Sequence, residues 1–407
     1  MEIPDTLKPR DAKDVEDAVC WALGGEKTLD ILGHGSKRGI GRPNQSDITL
    51  DLSGLAGVTL YEPEELVLSA RAGTPIAEIE SLVAASGQEL AFEPPDYAQA
   101  FGGEPARGTL GGVLAANLSG PRRVKAGAAR DHFLGFTAVS GRGETFKSGG
   151  RVVKNVTGYD LSKLLAGSFG TLAVMTDVTV KTLPRAEAEA SVIVVGLDDA
   201  RASEAMTAAM GSSCDVSGAA HLPAHIVGRF DGLSGQGALT VLRLEGVVSS
   251  VQHRRELLTA ELAGYGPIEH LDRDTSRLIW RAIRDVKPFA ATGLHAARPL
   301  WRLSVPPAHG HAVAGLITPA AQMFYDWAGG LIWVLMPPAG DAGAAPIHAA
   351  AAQLGGHATL VRADAATRAS VDVFPRQDEG VAALNRRIKE NFDPKGILNP
   401  GRMWAGI

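Results

Sequence analysis

The sequence predicts an α+β protein with more than one domain, and three observations support this. The chain has 407 residues, too many for one small core. Glycine-rich segments follow short apolar runs throughout its first half. After Pro184, longer strand patterns alternate with helical ones. We therefore expect a cofactor-binding domain over residues 1–187 and a second domain over 188–375. A C-terminal helix and tail over 376–407 is expected to return to the first domain.

The first half alternates between short strands and helices. Pro75 stands in the first turn of its predicted helix, where its missing N–H costs nothing. Gly120 follows the end of a helix made of small residues. Strand patterns cover residues 28–32, 48–52, 66–70, 133–140 and 172–183, and helical patterns cover 11–23, 75–86 and 112–118.

The second half predicts a ferredoxin-like antiparallel sheet backed by helices. Twice a strand pattern is followed by a helical one, and two further strands come later. The strands are expected at residues 191–197, 238–244, 300–305 and 331–336, and the helices at 199–210 and 249–262. A strong helical pattern over residues 379–391 precedes the C-terminal tail.

Composition and charge exclude several classes of protein. The net charge of −5 lacks the basic surplus that nucleic-acid binding usually needs, so we expect no nucleic-acid partner. The most apolar run, residues 330–336, is far shorter than the roughly 20 residues of a membrane span. Residues 1–5 do not resemble a signal peptide. The sequence thus predicts a cytoplasmic protein without a transmembrane segment.

The two cysteines, Cys20 and Cys214, bear on electron transfer. An iron–sulfur cluster takes about four thiolate ligands, so any cluster that serves this chain must lie on another one. Cys20 falls within the first helical pattern, and we expect it to be a buried, inert thiol.

Four glycine-rich segments indicate one large anionic cofactor. They cover residues 33–39, 109–112, 158–161 and 167–172. Glycine reaches positive φ, and without a Cβ it lets backbone N–H groups approach a phosphate. A single glycine loop is common, but four at these intervals indicate backbone wrapped around one large anionic cofactor, which we interpret as FAD.

The first of these segments is not a Rossmann loop. Gly33 and Gly35 follow a strand, and Asp51 lies at about the distance of the ribose-binding carboxylate. However, Arg38 occupies the position of the third glycine, and the loop leads into a strand instead of a helix. We therefore expect a nest of backbone N–H groups to hold the anion, helped by Lys37 or Arg38. A purely structural turn is the alternative.

These segments resemble the vanillyl-alcohol oxidase (PCMH-type) family of FAD-binding proteins, whose phosphate loop joins two strands. They are similar in particular to the E subunits of bacterial glycolate oxidases, which work beside a larger flavin subunit and an iron–sulfur subunit. The likeness is strong over residues 10–185 and weak in the middle of the chain. It is carried by residues 32–37, 74–78, 93–95, 108–112, 119–123, 126–131, 153–161 and 398–402.

The resemblance implies a PCMH-type FAD domain with a ferredoxin-like cap, and a set of cofactor-binding residues. Residues 33–38 would hold the diphosphate, residues 109–119 the flavin, and Val174 the adenine end. Some relatives attach the flavin to a histidine that follows the last glycine of this loop. Here Ser36 follows Gly35, and the loop histidine, His34, precedes it, so we expect non-covalent FAD. The full set is Gly33, His34, Gly35, Ser36, Lys37, Arg38, Pro95, Thr109, Gly111, Gly112, Asn117, Ser119, Gly127, Val174, Asn399 and Arg402.

Catalytic residues are harder to identify. Oxidation of a 2-hydroxy acid requires a base for the hydroxyl proton and a cation for the carboxylate. Phe169 stands where catalytic relatives carry glutamate, and their metal-binding histidine segment has no counterpart. His309 and His311 would share a face only on a strand, and their segment has a helical pattern, so no metal is expected. Arg302 and Arg281 are candidate carboxylate ligands, although most such arginines only pack or face solvent.

A local basic cluster follows Gly120. It could be a solvated face or a contact for a phosphate or carboxylate. Its members are Arg122, Arg123, Lys125 and Arg130.

The resemblance implies the FAD-binding subunit of a heteromeric glycolate oxidase. Glycolate would be oxidised to glyoxylate, and electrons would pass to the iron–sulfur partner subunit. The expected partners are the larger FAD-binding subunit, the iron–sulfur subunit and a small 2-hydroxy acid, and partner subunits could hold the complex at the inner membrane. Two alternatives stay open: a self-sufficient 2-hydroxy-acid dehydrogenase, and a non-catalytic subunit whose flavin is structural or a relay. Phe169 favours the second of these.

Overall fold

The computed structural model describes residues 5–150, 158–233 and 237–406, which form four sheets. Residues 153–157 of the motif expected at 153–161 lie outside this range. The predicted α+β fold is confirmed. The bounds are β1 Thr6–Leu7, α1 Ala12–Gly24, β2 Leu29–Leu32, β3 Ile48–Asp51, β4 Val58–Glu62, β5 Val67–Arg71, α2 Ile76–Ala85, β6 Gln88–Glu89, α3 Ala98–Phe101, α4 Leu110–Ala115, α5 Arg123–Ala126, β7 Phe133–Ser140, β8 Thr145–Gly149, α6 Leu161–Leu165, β9 Ala173–Lys181 and β10 Leu183–Pro184.

The first part of the chain is built on two larger sheets. Strands β1, β3 and β2 pair in parallel, and β4, β5, β9, β7 and β8 pair in that order as an antiparallel sheet. Helix α4 begins two residues before the predicted start, because Thr109 caps it by accepting a hydrogen bond from the Gly112 N–H at 3.2 Å. The helix ends at Ala115, three residues before the predicted end, and Asn117 beyond it has a φ of +48°, outside the helical region.

The expectation of a buried Cys20 is wrong. Helix α1 buries Val15, Val19 and Ala22, which recur at the spacing of one helix face. Cys20 follows Val19 and so points about 100° away from that face. Its residue is exposed, and Cys214 is the buried cysteine.

The second part forms one eight-stranded antiparallel sheet in the order β14-β11-β13-β12-β16-β17-β15-β18. One face packs on the first part, so that Ile193 and Trp333 share a core with Phe92 and Leu110. The other face packs on helices. The bounds are β11 Ala188–Val195, α7 Asp199–Gly211, β12 Gly218–Leu222, α8 Ala224–Val227, β13 Leu239–Gly246, α9 Val248–Leu262, β14 Ile268–Leu271, α10 Arg273–Arg284, β15 Leu300–Ser304, α11 Val313–Leu316, β16 Gln322–Asp326, β17 Leu331–Leu335, α12 Ala344–Gln353, β18 His357–Arg362, α13 Ala365–Ser370 and α14 Glu379–Phe392.

This arrangement supports the domain limits that we propose. Strand β10 ends at Pro184 and still pairs with β6 of the first part, whereas β11 begins the eight-stranded sheet at Ala188. We therefore propose a boundary at 187/188, with the cap ending near residue 375.

The C-terminal tail returns to the first part. Its anchor is the buried Lys389 of α14, whose Nζ donates to the Thr171 carbonyl at 2.6 Å, to the Leu398 carbonyl at 3.0 Å and to the Asp393 carboxylate at 2.7 Å. Leu398 then lies parallel to Leu29 at the edge of β2. The tail thus becomes part of the same wall as β2.

Candidate functional site

A cavity lies at the end of β2, where six separate segments of the chain meet, two of them contributing only Leu52 and Ala72. Its walls are the loop after β2, helix α4, the start of β9, the turn before it and the C-terminal tail. The lining residues are Asp30, Ile31, Leu32, Gly33, His34, Gly35, Ser36, Lys37, Arg38, Leu52, Ala72, Thr109, Gly111, Gly112, Ala115, Ala116, Phe169, Gly170, Ala173, Met175, Asn399 and Arg402.

The loop after β2 presents free hydrogen-bond donors. The backbone N–H groups of residues 34–37 donate to no group within the described ranges. Gly35 has φ +72°, and a Cβ there would meet no atom within 4 Å. The Nδ1 atom of His34 is buried without a hydrogen-bond partner in the described part of the chain. Free donors of this kind fit the diphosphate of FAD, because consecutive N–H groups form an anion-binding concavity.

Lys37 and Arg38 have different electrostatic situations. Arg38 forms an ion pair with the buried Asp30, so its charge is compensated. The Lys37 ammonium contacts the Ser36 hydroxyl at 3.3 Å and makes no ion pair with any described residue. Burial lowers the pKa of Lys37 to about 8, although Asp96 opposes this shift. Lys37 is therefore the loop cation that would gain most from a bound anion.

Several cavity glycines are required by packing between the walls. A Cβ on Gly33 would lie 2.7 Å from the Thr109 hydroxyl, and a Cβ on Gly111 would lie 2.8 Å from atoms of Ala72. The Gly111 N–H donates to the Ala72 carbonyl at 2.8 Å and is not available to a ligand. The glycines of α4 thus let the helix approach β5 closely.

Asn399 joins the tail to two other walls of the cavity. Its Oδ1 accepts from the Ile31 N–H at 2.7 Å, and its Nδ2 donates to the Phe169 carbonyl at 2.7 Å. A Cβ on Gly170 would lie 2.8 Å from that Nδ2. Phe169 itself has φ +52° and packs against Phe374 with ring centroids 5.3 Å apart. Asn399 therefore fixes both the end of β2 and the turn before β9.

Eleven of the predicted cofactor residues line this cavity, and five lie elsewhere. The side chains of Asn117 and Ser119 accept hydrogen bonds from the backbone of residues 129–130, and Val174 pairs with Val139 between β9 and β7. Their roles toward FAD stay predictions. The residues outside the lining are Pro95, Asn117, Ser119, Gly127 and Val174.

The basic cluster after Gly120 is divided between different environments. Lys125 and Arg130 are exposed, as a solvated face would be. Arg122, in contrast, forms ion pairs with Glu89 at 2.9 Å and Glu245 at 2.7 Å. Glu245 lies 123 residues away in sequence, so nothing local could indicate this pairing. The carboxylate contact considered for the cluster is therefore internal at Arg122.

His309 and His311 do not form a metal site with their neighbours. They lie in a 3₁₀-helix, Pro307–Ala312, within the segment where a helix was predicted. The α-helical part of that segment, α11, begins only at Val313. His309 Nδ1 lies 3.2 Å from the Leu354 carbonyl. Across the described ranges, no three His, Cys, Asp or Glu side chains are grouped so that they could hold a metal ion.

No helix in the described part of the chain is long and apolar enough to span a membrane.

Comparison with known proteins identifies the family. Residues 6–149 match the model of the FAD binding domain, and residues 373–403 match that of the C-terminal domain of FAD-linked oxidases. The glycolate oxidase subunit GlcE of Escherichia coli K12 is 34% identical over 96% of this chain and 97% of its own length. The glycolate oxidase subunit GlcD of Bacillus subtilis 168 is 23% identical over 100% of this chain and 90% of its own.

The solved structures agree on the fold. p-Cresol methylhydroxylase with bound substrate superposes with a TM-score of 0.72 at 13% identity, over 98% of this chain and 88% of the other. The predicted PCMH-type fold is thereby confirmed, and the match to the FAD binding domain confirms the prediction of FAD. The chain belongs to the family of the glycolate oxidase subunit GlcE, an FAD-linked oxidoreductase family, and FAD is its cofactor.

Proposed function

We propose that this chain is the FAD-binding subunit of a heteromeric glycolate oxidase that converts glycolate to glyoxylate and passes electrons to an iron–sulfur subunit. The observation that carries the proposal is the likeness to GlcE over almost the whole of both chains. The larger flavin subunit would be its other partner, and the complex would be cytoplasmic or held at the inner membrane by those partners.

The residues of the cavity suit non-covalent FAD. The free N–H groups of residues 34–37 and the Lys37 ammonium would hold the diphosphate, and Asn399 would keep the loop in place from the far wall. FAD supplies, when bound, the acceptor for the two electrons that leave the hydroxy acid. Ser36, not a histidine, follows Gly35, which favours a cofactor held without a covalent bond.

Electrons would have to leave through another chain. An iron–sulfur cluster takes about four thiolates, and this sequence has only Cys20 and Cys214, of which one is exposed and the other buried. We therefore place the clusters on a partner subunit.

The proposal is tested anaerobically. The purified chain is first examined for a flavin spectrum and then mixed with glycolate, alone and together with its partner subunits. Glycolate-dependent bleaching in the complex supports the proposal. Bleaching of the isolated chain would instead favour a self-sufficient dehydrogenase, and a chain without any flavin would refute the proposal.

The alternative of a structural flavin needs a second comparison, because Phe169 lines the cavity where catalytic relatives carry glutamate. A complex assembled with Gly35→Asp in this subunit would lack its flavin, whereas Gly35→Asn keeps the backbone conformation without the charge. If the flavin of this subunit oxidises glycolate or relays its electrons, the first complex loses glycolate-dependent reduction of its clusters and the second retains it. Reduction that is unchanged in the Gly35→Asp complex would favour a structural flavin.

A further inference from the structure

Arg302 lies on the face of the large sheet that covers the first domain. In β15 it stands opposite Trp333 of β17 and Thr359 of β18. Trp333 packs against Tyr97 of the first domain, with ring centroids 5.4 Å apart. Because side chains at opposed positions of neighbouring strands share a face, Arg302 also points toward the first domain.

A second arginine, from the first domain, meets Arg302 at one aromatic ring. The Arg123 Cζ lies 4.5 Å from the centroid of Trp327, and the Arg302 Cζ lies 5.0 Å from it. The two guanidinium carbons are thus at most 9.5 Å apart, the sum of these distances. Each makes a cation–π contact with the same indole.

Neither arginine is ion-paired or hydrogen-bonded to a described carboxylate. Within the described ranges, neither guanidinium makes a hydrogen bond or an ion pair, and both residues are only half-buried. Burial lowers the pKa of each, and the charge of Arg302 lowers that of Arg123 further. Burial followed by the charges of Arg302 and Arg123 also lowers the pKa of His357. The charge of Asp326 opposes the shift of Arg302, and that of Asp131 opposes the shift of Arg123, but neither reverses it. The two positive charges are therefore only partly compensated.

The neighbouring Arg122 shows that such compensation is available nearby. Arg122 directly precedes Arg123 in the sequence and forms ion pairs with Glu89 and Glu245. Desolvated arginines in proteins are normally paired in this way, because an isolated buried charge is costly. A bound anion would supply the ion pair that the described residues do not give to Arg123 and Arg302.

The turn that carries Trp327 is held in an unusual conformation. Trp327, Ala328 and Gly329 have φ of +51°, +57° and +93° in succession. The Trp327 Nε1–H donates to the Gly120 carbonyl at 3.0 Å, and its backbone N–H donates to the buried Asp326 carboxylate at 2.7 Å. Non-glycine residues persist at positive φ only where their surroundings fix them, often at ligand sites. The ring is thus a fixed platform for both arginines.

We propose that Arg302 and Arg123, arranged around Trp327, bind the carboxylate of the 2-hydroxy-acid substrate. The identity of the acid rests on the proposed function; the anion site does not. Guanidinium groups suit this role because their N–H donors match a carboxylate in a bidentate geometry. Arg281, the other candidate from the sequence, is exposed on α10 and serves as a matched control.

The test measures oxalate binding to the FAD-loaded chain by titration calorimetry, together with glycolate kinetics of the complex. Arg302→Met is expected to weaken oxalate binding about 10- to 100-fold and to raise KM for glycolate more than it lowers kcat. Arg302→Lys keeps the positive charge but not the bidentate guanidinium geometry, so its oxalate affinity should lie between those of the wild type and Arg302→Met. Arg281→Met should bind oxalate like the wild type. FAD content and the unfolding midpoint report on folding, and Arg123→Met gives a second route if Arg302→Met does not fold.

The outcomes separate the two proposals. Arg302-dependent oxalate binding without glycolate oxidation would support the site and refute glycolate oxidase function. Glycolate oxidation with unchanged oxalate binding and KM in both arginine variants would refute the site and leave the function intact. A wild type that neither binds oxalate nor oxidises glycolate would overturn both.

Discussion

Replacing Glu93 with glutamine is expected to destabilise the protein by about 3 kcal/mol at pH 7. The Glu93 carboxylate accepts two hydrogen bonds from Arg243, at 2.8 and 3.0 Å, and one from the backbone N–H of Arg122, at 2.6 Å. Glu93 belongs to the first domain and Arg243 to β13 of the second. Among the described residues, the substitution would leave the fully buried Arg243 with Glu245 as its remaining ion-pair partner.

Two independent estimates give this magnitude. Burial would raise the pKa of Glu93, but the charges of Arg243 and Arg122 outweigh it and lower the pKa from 4.5 to about 2. A shift of that size corresponds to about 3 kcal/mol of stability. Breaking a buried ion pair by removing one partner typically costs about 3–5 kcal/mol. Because the pKa is lower in the folded state, this stability is present above pH 4.5 and is lost as the pH falls toward 2.

The assay is urea unfolding of the wild type and Glu93→Gln between pH 7 and pH 3. The two stabilities should converge as the pH falls below 4.5. Glu104→Gln is the matched control, because Glu104 is an exposed residue in a surface pair with Arg107 and should cost less than about 1 kcal/mol. A loss below 1 kcal/mol in Glu93→Gln, or a loss independent of pH, would refute this account of the domain junction.

Three further predictions concern the cofactor cavity and the arginine platform. Gly35→Asp should abolish FAD binding in a folded protein while Gly35→Asn retains it, as measured by flavin absorbance after gel filtration; equal flavin in both would contradict the loop assignment. Lys37→Gln should weaken FAD binding about tenfold at pH 7, and the wild-type affinity should fall above pH 8 while that of the variant stays level in a fluorescence titration. Burial raises the pKa of Asp326 to about 7. As the pH rises from 5 to 8, the free energy of unfolding of Asp326→Asn should therefore increase by about 3 kcal/mol relative to that of the wild type in thermal unfolding. Parallel stability curves for the two proteins would exclude an ionised Asp326.

Local patterns in the sequence predicted about half of the helices and strands; they missed β12, β14, β16 and β18 of the large sheet and helices α10 and α12. Strand β7 was expected at residues 133–140, where it lies, and the helices at 199–210 and 379–391 each differ from the structure by about one residue. These elements have clear periodicity and caps, as Asp198 and Asp378 show by accepting N–H bonds at helix starts. The loop of residues 33–38, which lines the cavity, was also singled out from sequence, because glycine spacing and the following strand are local features. Its contact with the phosphates stays a prediction.

Long-range pairing could not be predicted. Arg122 lies in a basic cluster by sequence, yet its partner Glu245 follows 123 residues later. Arg123 and Arg302 meet only because Trp327 is carried by a turn of the second domain that docks on Gly120. Gly111 lines the cavity as predicted, but its close approach to Ala72, which requires a glycine there, was not predicted. In each case the deciding neighbour is distant in sequence.

The position of Asn399 has a consequence for biosynthesis. A ribosome makes the phosphate loop at residues 33–38 early, but Asn399 and Arg402, which line the same cavity, appear some 360 residues later. During most of translation the nascent first domain thus carries an open, incomplete binding site and would hold FAD only weakly. Cofactor loading would then follow the synthesis of the tail, and flavin content would report whether a given molecule had been translated past residue 402.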